Sequence, residues 1–189
     1  SGELTDSSTH GTHVSGTIAA ESNNDIGISG AFPEAKIITL GVSSDGIRID
    51  TASFIKACNY LVGLKNTGIN IIALNASFCG YNYSNTEKAA VENLRDAGII
   101  LCAAAGNHQT DIDLNKSYPG CYALANIITV AGNDSTHHLY RLTNYGNSDA
   151  GLAAPAPSIS TTVPLDKASP QTRLTLCSNP HHAKPHFDP

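Results

Sequence analysis

The chain has 189 residues, of which 41% are hydrophobic and only 14% charged, which suits one domain with a real core and excludes a charge-rich disordered chain. The formal net charge is −5 with no basic stripe, so nucleic acid is not an expected partner. The longest apolar run, Ile99 to Ala105, falls far short of the ~20 residues a membrane-spanning helix needs.

Helical and strand patterns alternate along the chain. Thr9 to Ala20 predicts a helix that starts near His10. Lys36 to Val42 is β-branched and apolar and predicts a buried strand. Asp50 is placed to cap a helix with Ile55, Cys58, Leu61 and Val62 on its apolar side, and Gly68 lies just beyond its end. Ile69 to Ser77 predicts another strand. Ser84 and Glu87 have the spacing of a capping box before Ala90, Val91 and Leu94. Gly98 closes that helix, and Ile99 to Ala105 and Asn126 to Ala131 predict two more strands.

Continuous apolar strands separated by helices imply an α/β fold, three layers deep, with a mainly parallel central sheet flanked by helices. Ligands in such sheets bind beyond the carboxyl ends of the strands. Asn75 to Gly80 and Ala103 to Asn107 lie at two of those ends. Residues 1–164 are expected to form the domain. Residues 165–189 have no periodicity and a His/Pro-rich end, and are expected to be a tail outside the core. Ser1 opens the chain and methionine is absent, which fits a processed or truncated N-terminus. Cys58, Cys79, Cys102, Cys121 and Cys177 show no C-x-x-C spacing and are expected to be mostly buried thiols.

Two motifs carry chemistry. Thr9-His10-Gly11-Thr12-His13-Val14-Ser15-Gly16 puts an imidazole at a helix start, where its pKa suits proton transfer near neutral pH. A purely structural helix and a metal pair of His10 with His13 are the other readings, the latter extended by the tail histidines His181, His182 and His186. Ala103-Ala104-Ala105-Gly106-Asn107 ends a strand on an asparagine whose amide N–H can face a developing oxyanion, or else is an ordinary strand-to-turn junction.

Taken together, the first motif resembles the histidine box of the subtilase family and the second its oxyanion-hole segment. Asn75-Ala76-Ser77-Phe78-Cys79-Gly80 is similar to the family's substrate-binding strand, and Ser117-Tyr118-Pro119-Gly120 and Leu152-Ala153-Ala154-Pro155 to later landmarks in the same order. The resemblance implies a serine endopeptidase acting on proteins or peptides, with His10 as general base and acid and Asn107 as oxyanion donor. It makes Ser77, Phe78 and Cys79 the strand that pairs with the substrate backbone, and Ala104, Ala105 and Gly106 one wall of the pocket for the residue before the scissile bond. It places His13 inside the fold. It implies no cofactor for the chemistry. It does suggest a structural calcium at Glu21 to Ile28, with Asn24 as side-chain ligand and Glu21, Ile26 and Ile28 as carbonyl ligands. It also implies secretion.

The chain departs from the family in ways that bear on activity. Glu3 and Asp6 stand too close to His10 to match the triad aspartate, and no glycine follows Gly151, so no serine box can be matched. Cys79 stands where glycine is usual, and Ala156-Pro157 replaces a Gly-Val-like pair. These losses imply a chain incomplete at both ends and close to inert alone. The alternative is a non-catalytic peptide-binding domain that keeps the groove.

Overall fold

The computed structural model describes residues 9–46, 48–157 and 159–163, together with the backbone of 173–174. It contains α1 (His10–Ala19), α2 (Thr51–Asn66), β1 (Ala73–Ala76), α3 (Asn85–Asp96), β2 (Ile100–Ala104), β3 (Ile127–Asn133), β4 (Leu152–Pro155), β5 (Ile159–Ser160) and β6 (Arg173–Leu174).

Local chemistry sets the helix limits. The Asp50 carboxylate accepts from Ser53 N–H at 2.9 Å and caps α2, and Gly68 leaves the helix at φ 97°, a conformation that costs glycine little. Lys65 Nζ then donates to Ile71 O and Gly98 O at 2.8 and 3.0 Å, tying the end of α2 to the approaches of β1 and β2. One half of the predicted capping box forms at α3, with Ser84 Oγ accepting from Glu87 N–H at 3.2 Å. The Ser84 N–H goes to the Tyr122 hydroxyl at 3.3 Å, and that hydroxyl donates to the Glu87 carboxylate at 3.1 Å.

The four main strands form a parallel sheet in the order β1-β2-β3-β4. Asn75 pairs with Cys102, Ala104 with Val130 and Val130 with Leu152, so all four carboxyl ends share one edge. α2 and α3 pack together over one face. Phe54, Cys58 and Leu61 from α2 and Val91 and Leu94 from α3 close on Ala76, Leu101 and Ala103. Burying side chains of this size is worth about 1.5–3 kcal/mol each. On the opposite face Ile100, Ile128 and Leu152 remain exposed.

The predicted strand at Lys36 to Val42 is not formed. The segment has no ladder partner among the described residues, and Ile37 and Ile38 are 43% and 44% exposed. A β-rich composition makes a strand only where a neighbour supplies the other half of the hydrogen bonds. The strand predicted from Ile69 is confined to Ala73–Ala76, whereas β4 was legible only as a landmark tetrapeptide. Of the tail, only the Arg173–Leu174 backbone is described, and it pairs antiparallel with Ile159–Ser160. The remainder, including Cys177 and the three tail histidines, lies outside the described residues, and the expectation for Ser1 and its neighbours does too.

Candidate active site

The site is built at the carboxyl edge of the sheet. Asn75 and Cys102 are register partners, so the chain leaving β1 and the chain leaving β2 emerge side by side. After β1 comes Ser77 to Gly80. The Phe78 ring turns into the core against Phe54, edge-on with centroids 5.2 Å apart. Asn75 Nδ2 donates to Ser77 Oγ at 2.9 Å. Gly80 exchanges two backbone hydrogen bonds of 2.8 Å with Tyr118, fixing the far side of the segment.

After β2 comes Ala105-Gly106-Asn107. Gly106 has φ 112°, and a Cβ there would stand 2.9 Å from Cys79 Sγ and 2.5 Å from Asn144 Nδ2. The two segments singled out in the sequence are therefore in contact. Ala105 is buried and Ala104 lines a shallow recess with Asn75, Ser77, Cys102, Val130 and Ala154. Asn107 Oδ1 is buried and accepts no hydrogen bond among the described residues.

A residue the sequence did not single out holds this turn. Asn144 is fully buried. Its Nδ2 donates to Ala105 O at 2.9 Å, and its Oδ1 accepts from His108 N–H at 2.8 Å and Thr110 N–H at 3.2 Å. Its own backbone N–H donates to Gly106 O at 2.8 Å. The residues on both sides of Asn107 are thus fixed from a loop more than thirty positions away in sequence. Only a Thr-Asn-Tyr-Gly turn marks it in the sequence. Tyr81 and His108 were also missed. Their side chains meet across the two segments, with Tyr81 Oη 2.6 Å from His108 Nδ1.

The electrostatics follow burial. Burial pushes the Cys79 thiol above its ordinary value, with the Ser117 hydroxyl partly opposing the shift. Burial likewise raises Tyr81, opposed by the Asn144 side chain.

His10 opens α1, entered through Thr9 in the left-handed region at φ 67°. The helix is tied to chain that follows β4: Thr162 Oγ1 donates to Thr12 O at 2.9 Å and Thr161 Oγ1 to His13 O at 2.5 Å. Gly16 is required at that contact, since a Cβ would fall 1.9 Å from Thr162 Oγ1. His13 is buried inside the fold. No group of three His, Cys, Asp or Glu among the described residues is placed to hold a metal.

The Glu21 to Ile28 loop is exposed for most of its length. Asn24 Oδ1 accepts from Ile26 N–H at 3.1 Å, an Asx turn, with Asn23, Asp25 and Gly27 at positive φ. Glu21, Asn24, Ile26 and Ile28 offer oxygen donors of the right chemistry. One oxygen from each makes a set smaller than the 6–8 ligands Ca²⁺ takes, so further donors are needed.

The family model for subtilases matches residues 2–182. The chain belongs to the subtilase family. Subtilase relatives include subtilisin-like protease 2 of Plasmodium falciparum, 30% identical over 85% of this chain, and the major intracellular serine protease of Bacillus subtilis, 31% identical over 94%. The match spans 12% of the first and 54% of the second, so this subtilase chain covers only part of its relatives' length. Among solved structures, the S41 psychrophilic protease superposes at a TM-score of 0.72 with 23% identity, covering 91% of this chain and 60% of that one. That likeness bears on the fold, an α/β sheet with flanking helices. Among the described residues, no helix of this subtilase is long and apolar enough to cross a membrane.

Proposed function

We propose that this chain contributes the histidine and the oxyanion side of a serine endopeptidase. The observation that supports the reading best is the contact of Cys79 with Gly106. It joins the two segments that would hold a peptide, with Asn107 next in the chain. In this reading His10 takes the proton from a serine hydroxyl as it attacks the scissile carbonyl, and returns it to the leaving amine. Asn107 donates an N–H to the carbonyl oxygen as it becomes an oxyanion. The Ser77 to Cys79 backbone aligns the substrate as an added strand. No serine in this sequence matches the family's serine box, so the 189 residues alone leave peptides intact and act as a peptide-binding groove.

A fluorophosphonate probe tests both statements. The chain as given should take no label and cleave no member of a broad peptide panel. The whole gene product should be labelled, and His10→Ala there should lower kcat by ~10⁶, a magnitude measured on subtilisin itself. Labelling of the given chain would refute its inertness. Full activity of the His10→Ala protein would refute the assignment of His10.

We also propose that the Glu21 to Ile28 loop takes Ca²⁺, supported by its oxygen donors and tight turn. Calcium should raise the thermal midpoint relative to EGTA. An unchanged midpoint would remove the proposal.

A further inference from the structure

The gap between the two groove segments is already filled. Ser77 to Gly80 and Ala105 to Asn107 leave neighbouring parallel strands, and a side chain of a bound peptide could enter between them only if the walls stood apart. The Cys79 sulfur occupies that space. Its position 2.9 Å from where a Gly106 Cβ would stand puts it in contact with the opposite wall. The sulfur has little room to retreat. Ser117, fully buried, lies beside it, and Gly80 is held by its paired backbone bonds to Tyr118.

A second barrier crosses the mouth. Tyr81 follows Gly80 on one wall and His108 follows Asn107 on the other. Their side chains meet with Tyr81 Oη 2.6 Å from His108 Nδ1 and rings edge-on, centroids 5.5 Å apart at 73°. His108 is in turn anchored through its N–H to Asn144. Both residues are solvent-facing, so the bridge spans the outer side of the gap while the sulfur fills the inner side.

We propose that Cys79 and the Tyr81–His108 bridge are specificity determinants that restrict the groove to peptides with glycine at the position facing Gly106. The inference rests on the groove reading above and adds the substrate class. Any larger side chain must displace a sulfur packed against backbone and break the bridge. Forcing carbons into filled space carries the penalty of overpacking, equivalent to about ten-fold in affinity or more.

The test uses the 189-residue chain labelled with ¹⁵N and two acetylated hexapeptide amides that differ only in a central glycine or phenylalanine. The glycine peptide should shift the amides of Cys79, Gly80 and Gly106 and bind at least about ten-fold more tightly than its partner. Cys79→Gly should bring the two affinities together. Tyr81→Phe keeps the ring but loses the hydroxyl contact, and should narrow the ratio even if the first variant does not fold. Equal binding of both peptides by the wild type overturns the proposal, as does a ratio unchanged in the folded variants. Failure of both peptides to shift any of these amides overturns the groove reading and the proposal with it, a result distinct from equal binding.

Discussion

Replacing Asn144 by alanine should cost about 4 kcal/mol of stability. The substitution removes three side-chain hydrogen bonds at once, to Ala105 O, His108 N–H and Thr110 N–H. An orphaned buried polar group costs ~1–3 kcal/mol. Ala105 is fully buried, so its carbonyl counts at about 2 kcal/mol. The two amides are partly buried and count at the low end, about 1 kcal/mol each. The backbone bond from Asn144 N–H to Gly106 O survives the change and keeps the turn attached. Against a total of ~5–15 kcal/mol for a domain, the loss is large but survivable. Urea unfolding followed by circular dichroism measures it, with an unchanged m-value showing that the same surface is exposed. Amide exchange at His108 and Thr110 should accelerate in parallel. A loss below about 1 kcal/mol with those two amides still protected would refute the reasoning, because the side chain would then not be what holds the turn around Gly106 and Asn107.

Gly16→Ala should destabilise by about 1–3 kcal/mol through collision with Thr162, and adding Thr162→Gly should recover part of the loss in the same thermal melt. Burial raises the Glu87 carboxyl above its ordinary 4.5, so the stability it contributes is fully present below that value and is lost as pH rises through the folded value. Glu87→Gln should flatten this decline in a pH series. Asp113 runs the other way. Backbone N–H groups of Asp149, Asn147 and Ser148 hold its carboxyl below the ordinary 3.8, so its contribution is present above 3.8 and lost as pH falls through the folded value, and Asp113→Asn should blunt that acid loss. Burial pushes the Cys58 thiol up to about 12, so Cys58 should resist iodoacetamide at pH 8 in the folded chain and react once urea exposes it; rapid native labelling would contradict this.

Local signals in the sequence transferred well to the fold. Asp50, Ser84, Gly68 and Gly98 act within a few residues of themselves, so the limits of α2 and α3 could be read directly. The apolar runs at Ile99 and Asn126 became β2 and β3 because partners lie on both sides. Lys36 to Val42 is also β-branched and apolar and did not become a strand, since pairing is a property of two segments and it meets no partner strand among the described residues. The site divides in the same way. His10 and Asn107 stand in recognisable motifs. Asn144 acts through groups thirty-four to thirty-nine positions away, and a lone asparagine before Tyr145-Gly146 gives no hint of which turn it will hold. The Tyr81–His108 bridge is invisible for the same reason: each residue is an ordinary polar aromatic until the two strand ends are placed side by side.

The threonine contacts that hold α1 have a consequence for the order of assembly. Thr161 and Thr162 reach carbonyls 148 and 150 positions earlier, among the most distant pairings in sequence among the described residues. The sheet and α2–α3 depend on much nearer partners. Closing so long a loop is entropically costly until its ends have something rigid to meet. The helix that carries His10 should therefore dock last, against the Thr161–Thr162 chain once that is held in place, and should be the first to leave when the chain begins to unfold. His10 would then be among the last side chains to reach its folded position, so any chemistry that depends on it has to wait until nearly all of the domain has folded.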